Sequence, residues 1–405
     1  MNQESIPEAS TTKKSKAWVW IVLIITILGA GGYFAYQYYN SGKTDRSKNQ
    51  TAEVISGPVT ISEKILANKF GWLGGGIEDT GEGIIDGGGK WVRSGPPGVF
   101  VWDMMQKSKD AKIDFTLSDQ VVNNYSKNEL GMLVNIWPFA DWDQKNLTNA
   151  IDCKVSDNDE MLLKNDKKGR GSYLPQYRCN PSDWTAYQKF VTAIVERYDG
   201  DGVADMPGLK IPIKYWEVMN EPDLQYGSNA PVGDSDRLTF YKQGPVEYAE
   251  LLIKTNESIK AGDADANVLI SGAAGADDRM LDFYRQVFAV TGAKTAFDIG
   301  NVHCISNDRE TKDFNVLAYK KMLAEFGLTN PIWVTEAEAM YGTTGDANYL
   351  STKTSTTGAI SAGAERIFFT RYDLDDSRTD MSQKGTASTY PSAEKYRELI
   401  ASFTK

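Results

Sequence analysis

Histidine is almost missing from this chain: His303 is the only one in 405 residues. A zinc centre built on histidines needs a second imidazole, so that class of metal chemistry is excluded. Cysteine is nearly as sparse, and three residues are too few for a disulfide framework. Cys153 and Cys179 bracket a polar, charge-rich stretch that one bridge could close in an oxidising compartment; three unrelated thiols fit the spacing equally well. Basic residues are also in deficit. The first 50 residues carry six Lys/Arg against three Asp/Glu, which leaves 38 basic and 51 acidic residues beyond them. So acidic a body has no basic stripe to neutralise phosphates, and no nucleic-acid partner is expected; a neutral or cationic ligand fits better.

Two other patterns fall short of a ligand site. "GEGIIDG" (81–87) misses dinucleotide spacing by one residue. "DGDGVAD" (199–205) has aspartates at two calcium-loop positions, but Val203 and Lys210 stand where later ligands should be. No cofactor and no metal are therefore expected.

What is present is first of all a long uncharged run. Trp18 to Tyr39, "WVWIVLIITILGAGGYFAYQYY", is close to the ~20 residues of a spanning helix and has aromatics at both ends. It reads as a single membrane helix, with a cleaved signal peptide as the alternative. Lys13, Lys14 and Lys16 lie nearest the span and favour an N-inside anchor, single-pass in the cell membrane, with the body outside the cytoplasm. The chain then divides into a polar tail (1–17), the membrane helix (18–39), a linker (40–60) and one domain over 61–405.

Within that domain short apolar runs alternate with stretches of helical period. Strands are expected at 69–75, 98–104, 131–139, 213–220, 267–274, 297–305, 331–338 and 365–373. Helices are expected at 183–198, with Ser182 as N-cap, at 245–262, and at 313–327, ending on Gly327. Strands that are apolar throughout belong to a parallel sheet covered on both faces. About eight of them over some 350 residues point to an α/β fold, a (β/α)8 TIM barrel, with an open sheet as the alternative. In the second place "KWVRSG" (90–95) competes with 98–104.

Barrel chemistry sits at the C-terminal ends of the strands. The fourth expected strand ends at Asn220-Glu221-Pro222, the sixth at His303 and the seventh at Thr335-Glu336. Two carboxyl groups and an amide arriving on one rim suit acid/base work on a polar bond. Glu217, four residues before the end of its strand, reads instead as part of an ion pair inside the barrel. Glu338 competes with Glu336, because positions two apart share a strand face.

"YWEVMNEPD" and "IWVTEAE", in this order, resemble the clan A glycoside hydrolases, (β/α)8 enzymes with an Asn-Glu pair ending strand four and a second Glu ending strand seven. "ERYDGDG" and His303 add to the likeness, which runs from about Phe70 onward. The resemblance implies that Glu221 is the general acid/base, Glu336 the nucleophile and Asn220 a partner of the sugar 2-hydroxyl. It also makes Arg93 similar to the arginine that orients the nucleophile. His303, a lone histidine at a strand end in an acidic barrel, reads either as a satisfied structural residue or as a substrate contact. Two departures stand out: Ile305 replaces a tyrosine that many members hold near the nucleophile, and Tyr372 stands where many have a sugar-stacking tryptophan. Trp72, Trp137 and Trp142 lie near expected strand ends, where an indole can face a sugar or pack in the core; "NIWPFADWDQ" (135–144) is the best candidate for a glycan-facing loop. The expected function is a membrane-anchored, exported glycoside hydrolase with a carbohydrate substrate, retaining in mechanism and acting on β-linked sugars. The alternative is a silent barrel that binds surface carbohydrate.

Overall fold

Eight short strands organise the domain: β1 (Phe70–Gly74), β2 (Trp91–Ser94), β3 (Gly131–Ile136), β4 (Tyr215–Val218), β5 (Asn267–Leu269), β6 (Gly300–Cys304), β7 (Ile332–Ala337) and β8 (Ala364–Phe369). All paired neighbours run parallel, in the order β5-β4-β3-β2-β1-β8-β7-β6. Bridges from Leu269 to Ile299 and from Ala273 to Val302 join the two outer strands. The sheet is thus closed into a barrel, and the open alternative is ruled out. A helix follows each strand: α1 (Glu82–Asp86), α2 (Thr116–Lys127), α3 (Trp184–Glu196), α4 (Pro245–Gly262), α5 (Asp278–Ala289), α6 (Val316–Glu325), α7 (Gly345–Ala362) and α8 (Ser392–Ala401).

The computed structural model describes residues 58–159, 161–162, 172–226, 238–304, 312–338, 345–370 and 392–403. The expected membrane helix at 18–39 and Tyr372 lie outside the described residues, as does Ile305. Among the described residues no helix is long and apolar enough to cross a membrane.

The strand sequences explain both the barrel and the placing of its polar groups. Alternate residues of a strand face the same way. Near the strand starts one set is apolar: Trp91, Leu133, Leu269, Ile299, Trp333 and Phe368 pack together with Ile65, and Tyr215 joins them at the edge. Arg366 closes this end, its guanidinium 3.8 Å from the ring centre of Trp91 and 4.4 Å from that of Trp333. Two residues further along, the same faces carry Arg93, Asn135, Glu217, Asn301 and Thr335, all fully buried. The other face of each strand, with Val92, Val134, Trp216, Val302 and Ile367, packs in the larger core beneath the helices. An apolar floor therefore supports a polar layer one step nearer the C-terminal rim.

Several local expectations need correction. Residues 98–104 are not a strand: Val101 makes a single bridge to Trp137, and Trp102–Met105 is a helical turn. The second stave is Trp91–Ser94, in register with β1 and β3. Pro96 and Pro97, which lack N–H donors, and Gly98 at φ +68° end it. Val99, Phe100, Val101 and Trp102 are apolar because they are buried in the core, not because they pair. The helix expected to be capped by Ser182 is capped by Asp183, whose carboxylate accepts from the Ala186 N–H at 2.9 Å. Between β3 and α3 the long connection is tied by a Cys153–Cys179 disulfide and by a buried Arg178–Asp159 ion pair at 2.9 Å.

Gly71 of β1 is a point where the barrel tolerates no side chain: a Cβ there would lie 2.4 Å from the Trp91 carbonyl oxygen and 2.8 Å from Phe368. Gly71→Ala should destabilise the domain by about 2 kcal/mol, as overpacked interiors do. The midpoint of urea unfolding measures this, and an unchanged midpoint would contradict the tight packing of β1 against β2 and β8.

Candidate active site

Arg93 stands at the centre of the polar layer, wholly buried. Its Nε and Nη2 donate to the two oxygens of Glu217 at 2.6 and 2.8 Å, its Nη1 donates to Glu336 Oε1 at 2.6 Å, and its Nη2 also reaches Asn220 Oδ1 at 2.6 Å. Burial opposes the charge, but the Glu217 and Glu336 carboxylates outweigh it and hold the guanidinium above the usual arginine range. The fork geometry of arginine is what permits one cation to hold three side chains at once.

Past β4 the chain makes two unusual backbone choices, Met219 at φ +67° and Glu221 at φ +40°. Left-handed conformations at non-glycine residues are strained and are held by their surroundings. Here they turn Asn220 and Glu221 into the site, with 0% and 7% exposure. The Nδ2 of Asn220 has no hydrogen-bond partner among the described residues. Beyond Pro222, buried Asp223 accepts from the Ala274 N–H at 3.0 Å, and Arg279 Nη1 binds the carbonyls of Asp223 and Tyr226 at 2.9 and 2.6 Å. The loop leaving the site is thereby pinned.

The two candidate carboxyl groups have different surroundings. Glu221 makes its hydrogen bond to His303, Oε1 to Nδ1 at 2.7 Å, and burial pushes its carboxyl up to about 7. Burial also raises Glu336, against the pull of His303 and Arg93. His303 is driven down to about 4 by burial, so its ring is neutral near pH 7. Ligand atoms of Glu221, His303 and Glu336 lie within 4.8 Å of one another. Arg93 and the mutual Glu221–His303 hydrogen bond already engage that cluster. The acidic group Asp199, Asp201 and Asp205 accepts from the backbone N–H groups of its own turn.

A register shift explains how neighbouring residues of β7 both enter the site. Asn301 pairs with Trp333 and Val302 with Val334, but His303 pairs with Glu336. Thr335 is the extra residue, and its hydroxyl lies 2.8 Å from His303 Nε2 while Glu336 turns to Arg93. Such irregularities re-aim side chains. Glu338, the competitor, is buried and accepts from Thr370 Oγ1 at 3.4 Å.

Of the residues singled out from sequence, Glu221, Glu336, Asn220, Arg93 and His303 come together, and Glu217 makes the ion pair expected of it. Others are placed differently. Both nitrogens of His303 hydrogen-bond protein groups, Glu221 and Thr335, and Arg93 is fully buried among its partners. Trp137 is a core residue at 0% exposure, its indole N–H on the Pro97 carbonyl, and Trp72 is equally buried. Trp142 is half-buried, packed edge-on against Trp102 with its N–H on the Gln106 carbonyl. Asn301 and Gly272 were not singled out, and Thr335 was named only as a strand end with no role given. Asn301 could have been found, since it shares a strand face with His303. Gly272 carries no local signal, yet a Cβ there would lie 2.0 Å from His303 Nε2.

No family model matches this sequence, and none of the curated proteins matches it. Solved structures share the fold. A glucosidase from Croceicoccus marinus is similar over 85% of this chain and 69% of its own, at 15% identity and a TM-score of 0.52. A family 39 glycoside hydrolase from Bacteroides cellulosilyticus WH2 is similar over 84% of this chain and 65% of its own, at 14% identity and 0.53. An endo-1,4-beta-mannanase from Rhizomucor miehei is similar over 86% and 98%, at 13% identity and 0.50. The chain thus spans about two thirds of the length of the first two. The eight-stranded barrel anticipated from the motif order is the one these glycoside hydrolases have.

Arg93→Met should cost about 3 kcal/mol or more at neutral pH, because it leaves buried carboxylates without their cation. Since Glu336 would then hold a proton more tightly folded than unfolded, the deficit should shrink as the pH falls. Urea unfolding at pH 5 and pH 8 tests this; an equal deficit at both would contradict the ion-pair assignment.

Proposed function

We propose that the chain hydrolyses O-glycosidic bonds of β-linked oligo- or polysaccharides with retention of configuration, Glu221 acting as general acid and base and Glu336 as nucleophile. One observation carries this reading: two buried carboxyl groups, from the ends of β4 and β7, lie within 4.8 Å in unlike surroundings. Retaining glycosidases hold such a pair ~5–5.5 Å apart, inverting ones ~6.5–9.5 Å apart. With one oxygen of each carboxyl within 4.8 Å of the other, the pair lies nearer the retaining spacing than the inverting one, which supports direct attack.

The unlike surroundings match the two roles. Glu336 on Arg93 is kept as a carboxylate able to attack the anomeric carbon. Glu221, lifted to about 7, is a protonated acid just below neutrality and gives its proton to the departing glycosidic oxygen as the C–O bond breaks. In the second step Glu221, now a carboxylate, takes a proton from water, whose oxygen attacks the glycosyl ester and frees Glu336. The unpartnered Nδ2 of Asn220 is a donor for a sugar hydroxyl. The solved structures, at 13–15% identity, support this reading through the fold alone. Binding without chemistry fits less well, since Trp72 and Trp137 are buried in the core and offer no stacking face. An anchored, extracytoplasmic setting belongs to the same proposal: the uncharged run 18–39 supports the anchor, and the Cys153–Cys179 bridge suits an oxidising compartment.

The full-length protein assayed on a panel of chromogenic β-glycosides should hydrolyse at least one, releasing the β-anomer first. Activity should fall as the pH rises through about 7, where Glu221 loses its proton. Glu221→Gln and Glu336→Gln should each lose about 100-fold or more. A wild type that cleaves none of the panel yet is retarded in glycan affinity gels would replace hydrolysis by binding.

A further inference from the structure

Behind Glu221 runs a chain of hydrogen bonds whose direction is fixed from its far end. Both Glu217 oxygens accept from Arg93, and Oε1 also accepts from Asn301 Nδ2 at 2.9 Å. That bond orients the Asn301 amide, so Oδ1 is its accepting end, and Thr335 Oγ1 donates its single hydrogen there at 2.8 Å. With that hydrogen spent, Thr335 can only accept from His303, at 2.8 Å from Nε2. A neutral imidazole that carries its proton on Nε2 presents a lone pair at Nδ1. Glu221 Oε1, 2.7 Å from Nδ1, must therefore be the donor.

We propose that Asn301 and Thr335 are positioning residues that fix the Nε2–H form of His303 and thereby hold Glu221 in its protonated, acid form. The inference rests on the proposed role of Glu221 and goes beyond it, since it names what sets that residue's protonation. The opposite form, Nδ1–H, would donate to a Glu221 carboxylate and favour its ionisation. It is disfavoured because Thr335 could offer Nε2 a hydrogen only by giving up Asn301. Gly272 makes the arrangement fit, since its missing Cβ leaves space for the ring. The other charged groups around the pair are Arg93, Glu217, Glu336 and Asp223, from β2, β4, β7 and the loop after β4. When Glu221 gives up its proton it faces the Nδ1 lone pair, so the carboxylate is a strong base for the water of the second step.

Thr335→Val keeps the shape of the side chain and removes the hydroxyl; Thr335→Ser keeps the hydroxyl. Because His303 is the only imidazole in the chain, 15N-histidine labelling reports one ring without assignment ambiguity. In the wild type the proton should sit on Nε2 at pH 7, in Thr335→Val it should move to Nδ1, and in Thr335→Ser it should stay on Nε2. In parallel, the alkaline limb of the pH–kcat profile in Thr335→Val should move down by about one unit or more, with KM little changed. Thermal unfolding midpoints of the variants check that they are folded. A wild-type proton on Nδ1, or the same tautomer in wild type and Thr335→Val, overturns the proposal whether or not any glycoside is cleaved. The expected tautomers in a protein that cleaves nothing would uphold the relay and remove only the hydrolytic reading.

Discussion

One buried cation sets the terms for the rest of the site. Arg93 lies among Glu217 on β4, Glu221 just past it and Glu336 on β7, and it hydrogen-bonds two of the three. A single positive charge cannot compensate three buried negative ones, so the carboxyl left off the guanidinium is driven towards its neutral form. That carboxyl is Glu221. The difference between the two carboxyl groups thus follows from charge counting in a closed space, and the proposed division between acid and nucleophile builds on it. Such an arrangement is weak evidence for stability, because desolvating the ions costs several kcal/mol each.

The barrel delivers this arrangement through small irregularities in a regular frame. Strand alternation alone places Arg93, Glu217 and Asn301 in one layer above the apolar floor. It does not explain Glu336 or Glu221. The first needs the register shift between β6 and β7, which lets Thr335 and Glu336 both serve the site. The second needs the left-handed turns at Met219 and Glu221. Local strain at the rim is offset by the packing below it, where the strands are buried on both faces.

Much of this was legible in the sequence. Apolar runs of strand length, separated by helical periods, pointed to a parallel sheet, because such a sheet buries both faces of every strand, and their number favoured the barrel over an open sheet. Asn220, Glu221 and Glu336 stood out because barrel chemistry sits at the C-terminal ends of the strands and because their two motifs come in the order of a known family. The second stave was misread since burial, not pairing, made 98–104 apolar. Trp137 was expected at the rim for a similar reason: a strand end says where a residue lies along the barrel axis, not whether its ring turns inward. Gly272, just past β5, and Thr335, on β7, meet His303 from the two sides of β6, and no local pattern encodes that meeting.

The central claim is that Glu336 forms a covalent bond to sugar while Glu221 supplies the proton. Trapping with a series of 2-deoxy-2-fluoro-β-glycosides bearing activated leaving groups, followed by peptide mapping by mass spectrometry, tests it most directly. A single glycosyl adduct on Glu336 is expected, formed by the wild type and absent from Glu336→Gln. An adduct on Glu338 would contradict the assignment of the nucleophile. Turnover of the matching β-glycoside without any adduct, and with release of the α-anomer first, would contradict the retaining mechanism itself.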